Sequence, residues 1–395
     1  MGRLTAALVL VFAGLALSAV ATVPAAADSV SVPSAKKRCK TLVNRVHGKK
    51  RHVRVCKKAK SKNGHHGQPS PPPPTPAATK TLGKVTLPSA VSSLAVGEGA
   101  VWATLADNSL VRIDPNALAV TARIADPLAA EWPPLVAVGA GSVWLADAVP
   151  SAGNSNDGGA LLRVDPTANR IVANVPVGRS PEGMAFTAGA VWVANHRSDT
   201  ALGTPAPHPF SVSRVDTASN RETRRVVVER RKSTGESWVD YCCGPQGMAA
   251  GAGSVWVGDA TPQTVYRIDP GTNNVVAAIH APDIGDACGG LAADSSSVWV
   301  ASGCSPALWR IDPLTNAVAA TITLPGAADT VALGFGSVWA TTSSSQFSGG
   351  EADLVRVDAA SNLVVGKTGG GGALAIGEGA IWLGSGNVLF KLAPA

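Results

Sequence analysis

The sequence has none of the short motifs that mark the commonest catalytic and ligand sites. G-x-S-x-G, H-E-x-x-H, a phosphate-binding P-loop and an EF-hand loop are all absent from the 395 residues. The six cysteines also lack the paired C-x-x-C spacing of zinc sites. These absences argue against an α/β-hydrolase, a zincin, a P-loop nucleotide enzyme, an EF-hand protein and a zinc module.

Long hydrophobic runs are equally scarce. Only residues 4–23 form an uncharged run that approaches the length of a membrane span, and Ala25-Ala26-Ala27 follow it before Asp28. This order is typical of a secretory signal peptide, predicted over residues 1–27, with an uncleaved membrane anchor as the alternative. We therefore expect a secreted, extracytoplasmic protein, in which an even number of cysteines favours disulfides over reduced thiols.

Acidic residues are almost missing from the next part of the chain. Residues 28–80 contain fourteen Lys and Arg against one Asp, a net charge of +13, whereas residues 81–395 have a net charge of −7. The basic pI therefore describes only the tail. No nucleic-acid partner is expected for a chain whose larger part is acidic.

The basic tail divides into a segment over residues 28–62 and a Pro-rich linker over residues 63–80. Turn-like residues between two short β-compatible runs predict a two-stranded ribbon closed by a Cys39–Cys56 disulfide. If the chain is secreted, the expected partners of residues 36–62 are anionic cell-wall polymer or lipid headgroups. A solvated tail without a partner is the alternative.

Helical periodicity is absent from residue 81 onward, where one phrase recurs instead. A turn, usually Gly-rich, is followed by Val-Trp or Ile-Trp at Trp102, Trp144, Trp192, Trp256, Trp299, Trp339 and Trp382. A second phrase, most often Arg-Ile-Asp-Pro or Arg-Val-Asp, follows each tryptophan. Seven units of 45 residues fill residues 81–395, and this is the size of a four-stranded propeller blade. The sequence therefore predicts an all-β, seven-bladed β-propeller.

The two ends of this region predict how the ring closes. The seventh unit stops after its third strand at Ala395, and residues 81–88 resemble the missing fourth strand. A ring closed by an N-terminal strand is predicted, because an open ring would leave a blade edge unpaired. The repeated Trp, Arg and Asp are interpreted as inter-blade packing and turn capping.

Departures from the repeat indicate a site. Residues just before the first strand and just after the second strand of each blade lie on one face, around the channel mouth, which is the usual ligand site of propellers. The longest insertions fall on the same face. The candidate ligand-binding residues at this rim are Asp147, Glu182, Asn195, His196, Gln246, Asp259 and Asp329. Turn capping is the alternative role for Asp147, Asn195 and Asp259.

Four cysteines map to the same rim, namely Cys242, Cys243, Cys288 and Cys304. Three pairings are possible for four cysteines. We favour Cys288–Cys304 with a vicinal Cys242–Cys243 bridge, and two bridges between the fourth and fifth blades are the alternative.

The recurrent Val-Trp, Arg-Ile-Asp-Pro and Thr-Asn phrases resemble those of bacterial YVTN-type and virginiamycin B lyase-like propellers, over nearly all of residues 81–395. For the lyase, the resemblance implies ring opening of a cyclic depsipeptide by β-elimination, with a metal-assisted His/Glu base at the channel mouth. His196 and Glu182 would then be the catalytic residues, and a divalent cation such as Mg²⁺ the cofactor.

One architecture hosts many functions, so the resemblance is specific for fold rather than for activity. The prediction is a secreted propeller that binds an unknown small molecule or protein at its rim, without catalysis and with no required cofactor. The alternative is a lyase-like or lactonase-like enzyme that acts on a cyclic ester.

Overall fold

The structure is a computed structural model of the chain. It describes residues 38–46, 49–57, 78–128, 133–151, 154–195, 210–228, 247–259, 264–280, 289–303, 305–343 and 352–394. The chain divides into two compact units, Met1–Pro72 and Pro73–Ala395. Every regular element in the described ranges is a β-strand. No helix that could cross a membrane is found in this part of the chain.

The first unit contains a two-stranded antiparallel ribbon of β1 (Arg38–Val46) and β2 (Lys49–Lys57). Its register pairs Cys39 with Cys56. Directly opposite positions of an antiparallel pair are close enough for a disulfide. The side chains that the structure describes include no disulfide and none of the six cysteines, so the Cys39–Cys56 bridge stays a prediction.

The second unit is a seven-bladed β-propeller, which confirms the predicted fold. Its strands form seven four-stranded antiparallel sheets around the ring. The first strand in the chain, β3 (Thr81–Thr86), belongs to the seventh sheet. Blade 1 consists of β4 (Val91–Gly97), β5 (Ala100–Leu105), β6 (Ser109–Asp114) and β7 (Ala119–Ala125). Blade 2 consists of β8 (Leu135–Gly139), β9 (Ser142–Ser151), β10 (Asn154–Asp165) and β11 (Arg170–Val177). Blade 3 consists of β12 (Pro181–Thr187), β13 (Ala190–Asn195), β14 (Ser211–Asp216) and β15 (Arg221–Val227).

The remaining blades follow the same order. Blade 4 consists of β16 (Met248–Gly251), β17 (Ser254–Asp259), β18 (Thr264–Asp269) and β19 (Asn274–His280), and blade 5 of β20 (Leu291–Ala293), β21 (Val298–Ala301), β22 (Ala307–Asp312) and β23 (Ala317–Thr323). Blade 6 consists of β24 (Ala327–Gly334), β25 (Ser337–Ser343), β26 (Asp353–Asp358) and β27 (Leu363–Gly369). Blade 7 consists of β28 (Ala373–Gly377), β29 (Ala380–Ser385) and β30 (Val388–Leu392), together with β3.

The ring closes through both ends of this unit. The first strands of neighbouring blades contact each other in an unbroken cycle, from β4 through β28 and back to β4. Strand β3 pairs with β30 and so supplies the fourth strand of blade 7. The Leu118 side chain fills the space that a Cβ at Gly83 of β3 would need. A larger residue at position 83 would therefore require the Leu118 side chain of blade 1 to move.

The repeated aromatic and basic residues hold each blade together. In every blade the third-strand Arg, or Lys391 in blade 7, lies over the second-strand Trp at 5.0–5.8 Å from the ring centroid. All seven of these tryptophans are essentially buried. A cation placed over a desolvated indole face is attracted by the ring quadrupole. The interpretation of these residues as packing elements is confirmed.

The same basic residues also join neighbouring blades. Arg163 Nη1 donates to the Thr217 carbonyl at 2.7 Å and to Asn220 Oδ1 at 2.9 Å, both in the third-to-fourth strand turn of the next blade. Arg267 and Arg310 repeat the arrangement. Lys391 Nζ donates to the Pro115 carbonyl at 2.8 Å and thus joins blade 7 to blade 1.

The turns explain why Gly, Asn and Asp recur. In the first-to-second strand turn of blade 1, Glu98 and Gly99 both have positive φ, 54° and 69°, as the two-residue type I′ hairpin requires. In the third-to-fourth strand turns a left-handed residue, usually Asn, has φ of 51–58°. Each of these turns begins with an Asp whose carboxylate accepts backbone N–H groups, as Asp165 does from Thr167 and Ala168.

Candidate functional site

The two ends of the propeller differ in what they carry. Because each blade is a four-stranded meander, one end holds the turns between first and second strands and between third and fourth strands. We call it the turn face. The other end, the loop face, holds the connections between second and third strands and those between blades. The predicted rim residues that the structure describes, Asp147, Glu182, Asn195, Asp259 and Asp329, belong to the loop face.

The acids of the turn face have structural partners. Backbone N–H groups and neighbouring hydroxyls hold the pKa below its usual range for the carboxyls of Asp114, Asp165, Asp216, Asp269, Asp312 and Asp358. Hydrogen bonds to a carboxylate favour its charged form. These six carboxylates therefore cap turns, and no further role is needed to explain them.

Asp147 on the loop face is in the opposite situation. It lies within β9, the second strand of blade 2, opposite Ala160 of β10, and is only 2% exposed. Burial first, then a hydrogen bond and repulsion from the Asp126 carboxyl, raise the pKa of Asp147 to about 8. The Oδ2 atoms of both carboxyls have no hydrogen-bond donor among the described residues. Burial and a neighbouring carboxyl both disfavour the charged form of an acid, so Asp147 is readily protonated.

Asp329 is the second loop-face acid with a desolvated carboxyl. It is half-buried near the start of blade 6, and Ser343 Oγ donates to its Oδ1 at 3.2 Å. Burial raises the pKa of Asp329 despite that hydrogen bond. Neither Asp329 nor Asp147 pairs with a basic side chain among the described residues. Asp353, by contrast, is neutralised by Lys367, whose Nζ lies 2.9 Å from its Oδ2.

Asn195 has structural hydrogen-bond partners on the loop face. It is 1% exposed, and its Nδ2 donates to the Ser211 carbonyl at 3.2 Å and to Ser213 Oγ at 2.9 Å. The Gly178 N–H donates to the same Ser213 hydroxyl at 3.2 Å, and a Cβ at Gly178 would overlap the Asn195 amide. Asn195 therefore fixes the connection between blades 2 and 3.

Glu182 occupies a β-bulge. The pairing of β12 with β13 passes from Pro181↔Asn195 to Gly183↔Ala194, so Glu182 has no residue opposite. Asp329 is bulged in the same way between Ala328 and Thr330. A bulge re-aims a side chain and is common next to functional sites. These bulges, which the sequence analysis did not predict, place two acids at equivalent positions of blades 3 and 6.

Of the three remaining predicted residues, the structure describes Asp259 alone. Asp259 is 4% exposed and lies opposite Thr264, whose Oγ1 is 2.8 Å from His280 Nδ1. His196 and Gln246 lie outside the described residues, as do the four rim cysteines. The described residues contain no group of three or more His, Cys, Asp or Glu side chains arranged to hold a metal ion. No described geometry therefore brings the seven predicted residues into one cluster.

Asp126 is a candidate site residue that the sequence analysis missed. It follows the fourth strand of blade 1, where the register aligns it with apolar residues or Gly in the other blades: Leu87, Val177, Val228, Ala281, Leu324 and Gly370. An acid at a position that is otherwise apolar is a departure of the kind that marked the rim residues. Comparison of the blades at this position would have identified it.

Comparison of the chain with models of known protein families and with curated proteins found no match.

Proposed function

We propose that this chain is a secreted β-propeller that binds a ligand or partner at its loop face, around the channel mouth, without catalysing a reaction. The observation that carries the proposal is the electrostatic difference between two loop-face acids, Asp147 and Asp329, and the turn-capping aspartates of the turn face. Turn-face acids have lowered pKa values and structural partners, whereas Asp147 and Asp329 on the loop face have raised pKa values and no basic partner among the described residues. Desolvated acids without a basic partner are candidates for function.

The loop face also concentrates buried oxygen atoms that lack a hydrogen-bond partner. Among the described residues these include Asp126 Oδ2, Asp147 Oδ2, Ser180 Oγ and Asn195 Oδ1. Buried polar atoms are normally satisfied, and an unsatisfied one calls for an explanation. Acceptors predominate in this set, so we expect a ligand that offers hydrogen-bond donors or positive charge.

The repeat resembles YVTN-type and virginiamycin B lyase-like propellers, and this resemblance supports an enzyme as the second candidate. The β-bulge at Glu182 is the one described feature that favours it, because bulges occur next to active sites. In this candidate function Glu182 and His196 act on a cyclic depsipeptide or lactone with Mg²⁺ present.

The test is a thermal-shift screen of amines, lactones and cyclic depsipeptides with Mg²⁺, followed by calorimetry of each hit. Asp329→Asn removes a loop-face charge and should weaken binding by about tenfold, the value of one charge-assisted hydrogen bond. Asp358→Asn is the matched turn-face control, because an Asn carbonyl still accepts the Ser361 N–H, and it should leave affinity unchanged. Hits that lose affinity only in Asp358→Asn would contradict the proposal. Turnover that Glu182→Gln abolishes would favour the enzyme.

We propose a separate role for the basic tail, as a tether to a surface dense in phosphate or carboxylate groups. A net charge of +13 over residues 28–80 supports this role, because a propeller of net charge −7 would be repelled by the same surface. The tether would hold the propeller near the cell surface.

A further inference from the structure

Each blade has the same row of residues across its four strands, on the side that contacts the next blade. The row starts with an Ala of the first strand and continues with the buried Trp and the basic residue that lies over it. It ends on the outer strand with Ala or Gly in six blades: Ala122, Ala173, Ala277, Ala320, Gly366 and Gly83. In blade 3 the row ends with Arg224, directly opposite Arg214. Blade 3 therefore departs from the repeat at this position.

The departure places two positive charges side by side. Residues directly opposite each other on antiparallel strands have Cβ atoms about 4.5–5.5 Å apart, and like charges in such a pair are destabilising. Arg214 is half-buried and Arg224 is exposed. A residue that breaks a local rule in this way is characteristic of a functional site. An anion bound between the two guanidiniums would remove the repulsion.

The outer strand has no free acid to neutralise Arg224. The one acid of β15 is Glu222, which accepts from Arg225 Nε at 2.8 Å and from Arg225 Nη2 at 2.7 Å. Arg224 forms no side-chain hydrogen bond or ion pair with the described residues. Its charge is therefore uncompensated in this part of the chain.

Arg214 keeps a donor for a ligand because it does not join the next blade. The equivalent Arg of blades 2, 4 and 5 donates through Nη1 to the next blade, whereas Arg214 Nη1 donates to Thr223 Oγ1 of its own outer strand at 3.1 Å. The buried Oδ1 of Asn273 in blade 4 has no donor among the described residues as a result. Arg214 Nε is buried, but Nη2, which also has no hydrogen-bond partner in the described ranges, is accessible.

We propose that Arg214 and Arg224 bind a terminal phosphate group at the outer edge of blade 3. A guanidinium matches phosphate oxygens with parallel N–H groups, and its charge persists at every pH of interest. A terminal phosphate has three acceptor oxygens, so it can contact both guanidiniums at once. A carboxylate has two oxygens, which a single guanidinium already satisfies. The phosphate is either the free ion or the end group of a small phosphate ester.

The experiment is a phosphate titration of the ¹⁵N-labelled full chain, followed by NMR through the arginine Nε–H signals. These signals, assigned by Arg→Lys variants, separate the site from the basic tail, which also attracts phosphate. Arg214 and Arg224 should shift along one binding curve. Arg170, the exposed first residue of β11 in blade 2, should not shift. Acetate at the same ionic strength should bind at least about tenfold more weakly.

Glycerol 3-phosphate distinguishes the two sources of the phosphate group. Tighter binding of the ester than of inorganic phosphate would assign the site to a phosphate ester, and tighter binding of inorganic phosphate would assign it to the free ion. Either result supports the inference, because both ligands carry the terminal group that the two arginines recognise.

Arg224→Ala is the variant that tests the pair, and it restores the residue that four other blades have. It should retain the fold and weaken phosphate binding at Arg214 by about tenfold or more. Arg170→Ala removes the same charge from the neighbouring blade and should leave the binding unchanged. Reading the Arg214 signal in both variants excludes any contribution of the tail.

The inference would be overturned if neither Arg214 nor Arg224 shifts, or if Arg170 shifts equally. Unchanged phosphate binding in Arg224→Ala, or acetate binding as tight as phosphate binding, would overturn it as well. The site goes beyond the proposed function, because Arg214 lies at the turn-face end of β14, whereas the loop face is tested through Asp329. The two proposals can therefore fail independently.

Discussion

At the scale of single residues, the residue two positions before each blade Trp affects the hydrogen bonds that join neighbouring blades. In four blades a Ser two positions before the Trp accepts from the Arg Nε at 2.8–2.9 Å. In blades 1 and 3 an Ala takes its place, and the Asn Oδ1 of the next blade, Asn169 or Asn273, has no partner among the described residues. The Ser hydroxyl therefore orients the guanidinium toward the next blade.

This relation predicts that Ala190→Ser stabilises the propeller. The new hydroxyl should accept from Arg214 Nε, which lacks a partner among the described residues, and turn the guanidinium toward Asn273. One such bond contributes about 0.5–1.5 kcal/mol, measurable by urea denaturation. Ala380→Ser is the matched control, because Lys391 of that blade has no guanidinium to orient. An equal gain in both variants, or none in Ala190→Ser, would contradict the explanation.

At the scale of strands and blades, the fold could be predicted from the sequence because the same repeat occurs seven times. Seven copies of one phrase establish the strand order, the turn types and the blade count, so an error in one copy is corrected by the others. The second-to-third strand insertion of blade 2 illustrates the limit. Instead of a loop, β9 and β10 continue through it as a longer hairpin, from Ser142 to Asp165.

The candidate site was less predictable because it depends on contacts that no repeat encodes. The Asp126–Asp147 pair joins two blades, and neither residue indicates the other in the sequence. Asp147 and Asn195 occupy equivalent positions, yet one carries a raised pKa and the other bonds to Ser211 and Ser213. Burial and partners distinguish them, and both follow from tertiary structure.

At the scale of the whole molecule, the charge division predicts salt-sensitive attachment by the tail. The Debye length falls from about 8 Å at physiological ionic strength to about 3 Å at 1 M salt, so attraction to an anionic surface should be lost in molar salt. The measurement is co-sedimentation with cell-wall material and, separately, with phosphatidylglycerol vesicles, which distinguishes the two sources of negative charge. A chain beginning at Ala78 is the control and should stay in solution. Equal retention of both chains would show that the tail is only a solvated leader.

The central claim is that two loop-face acids, Asp147 and Asp329, are in the opposite electrostatic state to the six turn-capping aspartates of the turn face. The most direct measurement is a ¹³C NMR titration of the aspartate carboxyls, assigned by Asp→Asn variants. We predict that Asp147 titrates near pH 8 and Asp329 above its ordinary value of 3.8, whereas the six turn-face aspartates titrate below 3.8. Titration of Asp147 and Asp329 at or below the values of the turn-face aspartates would contradict the account.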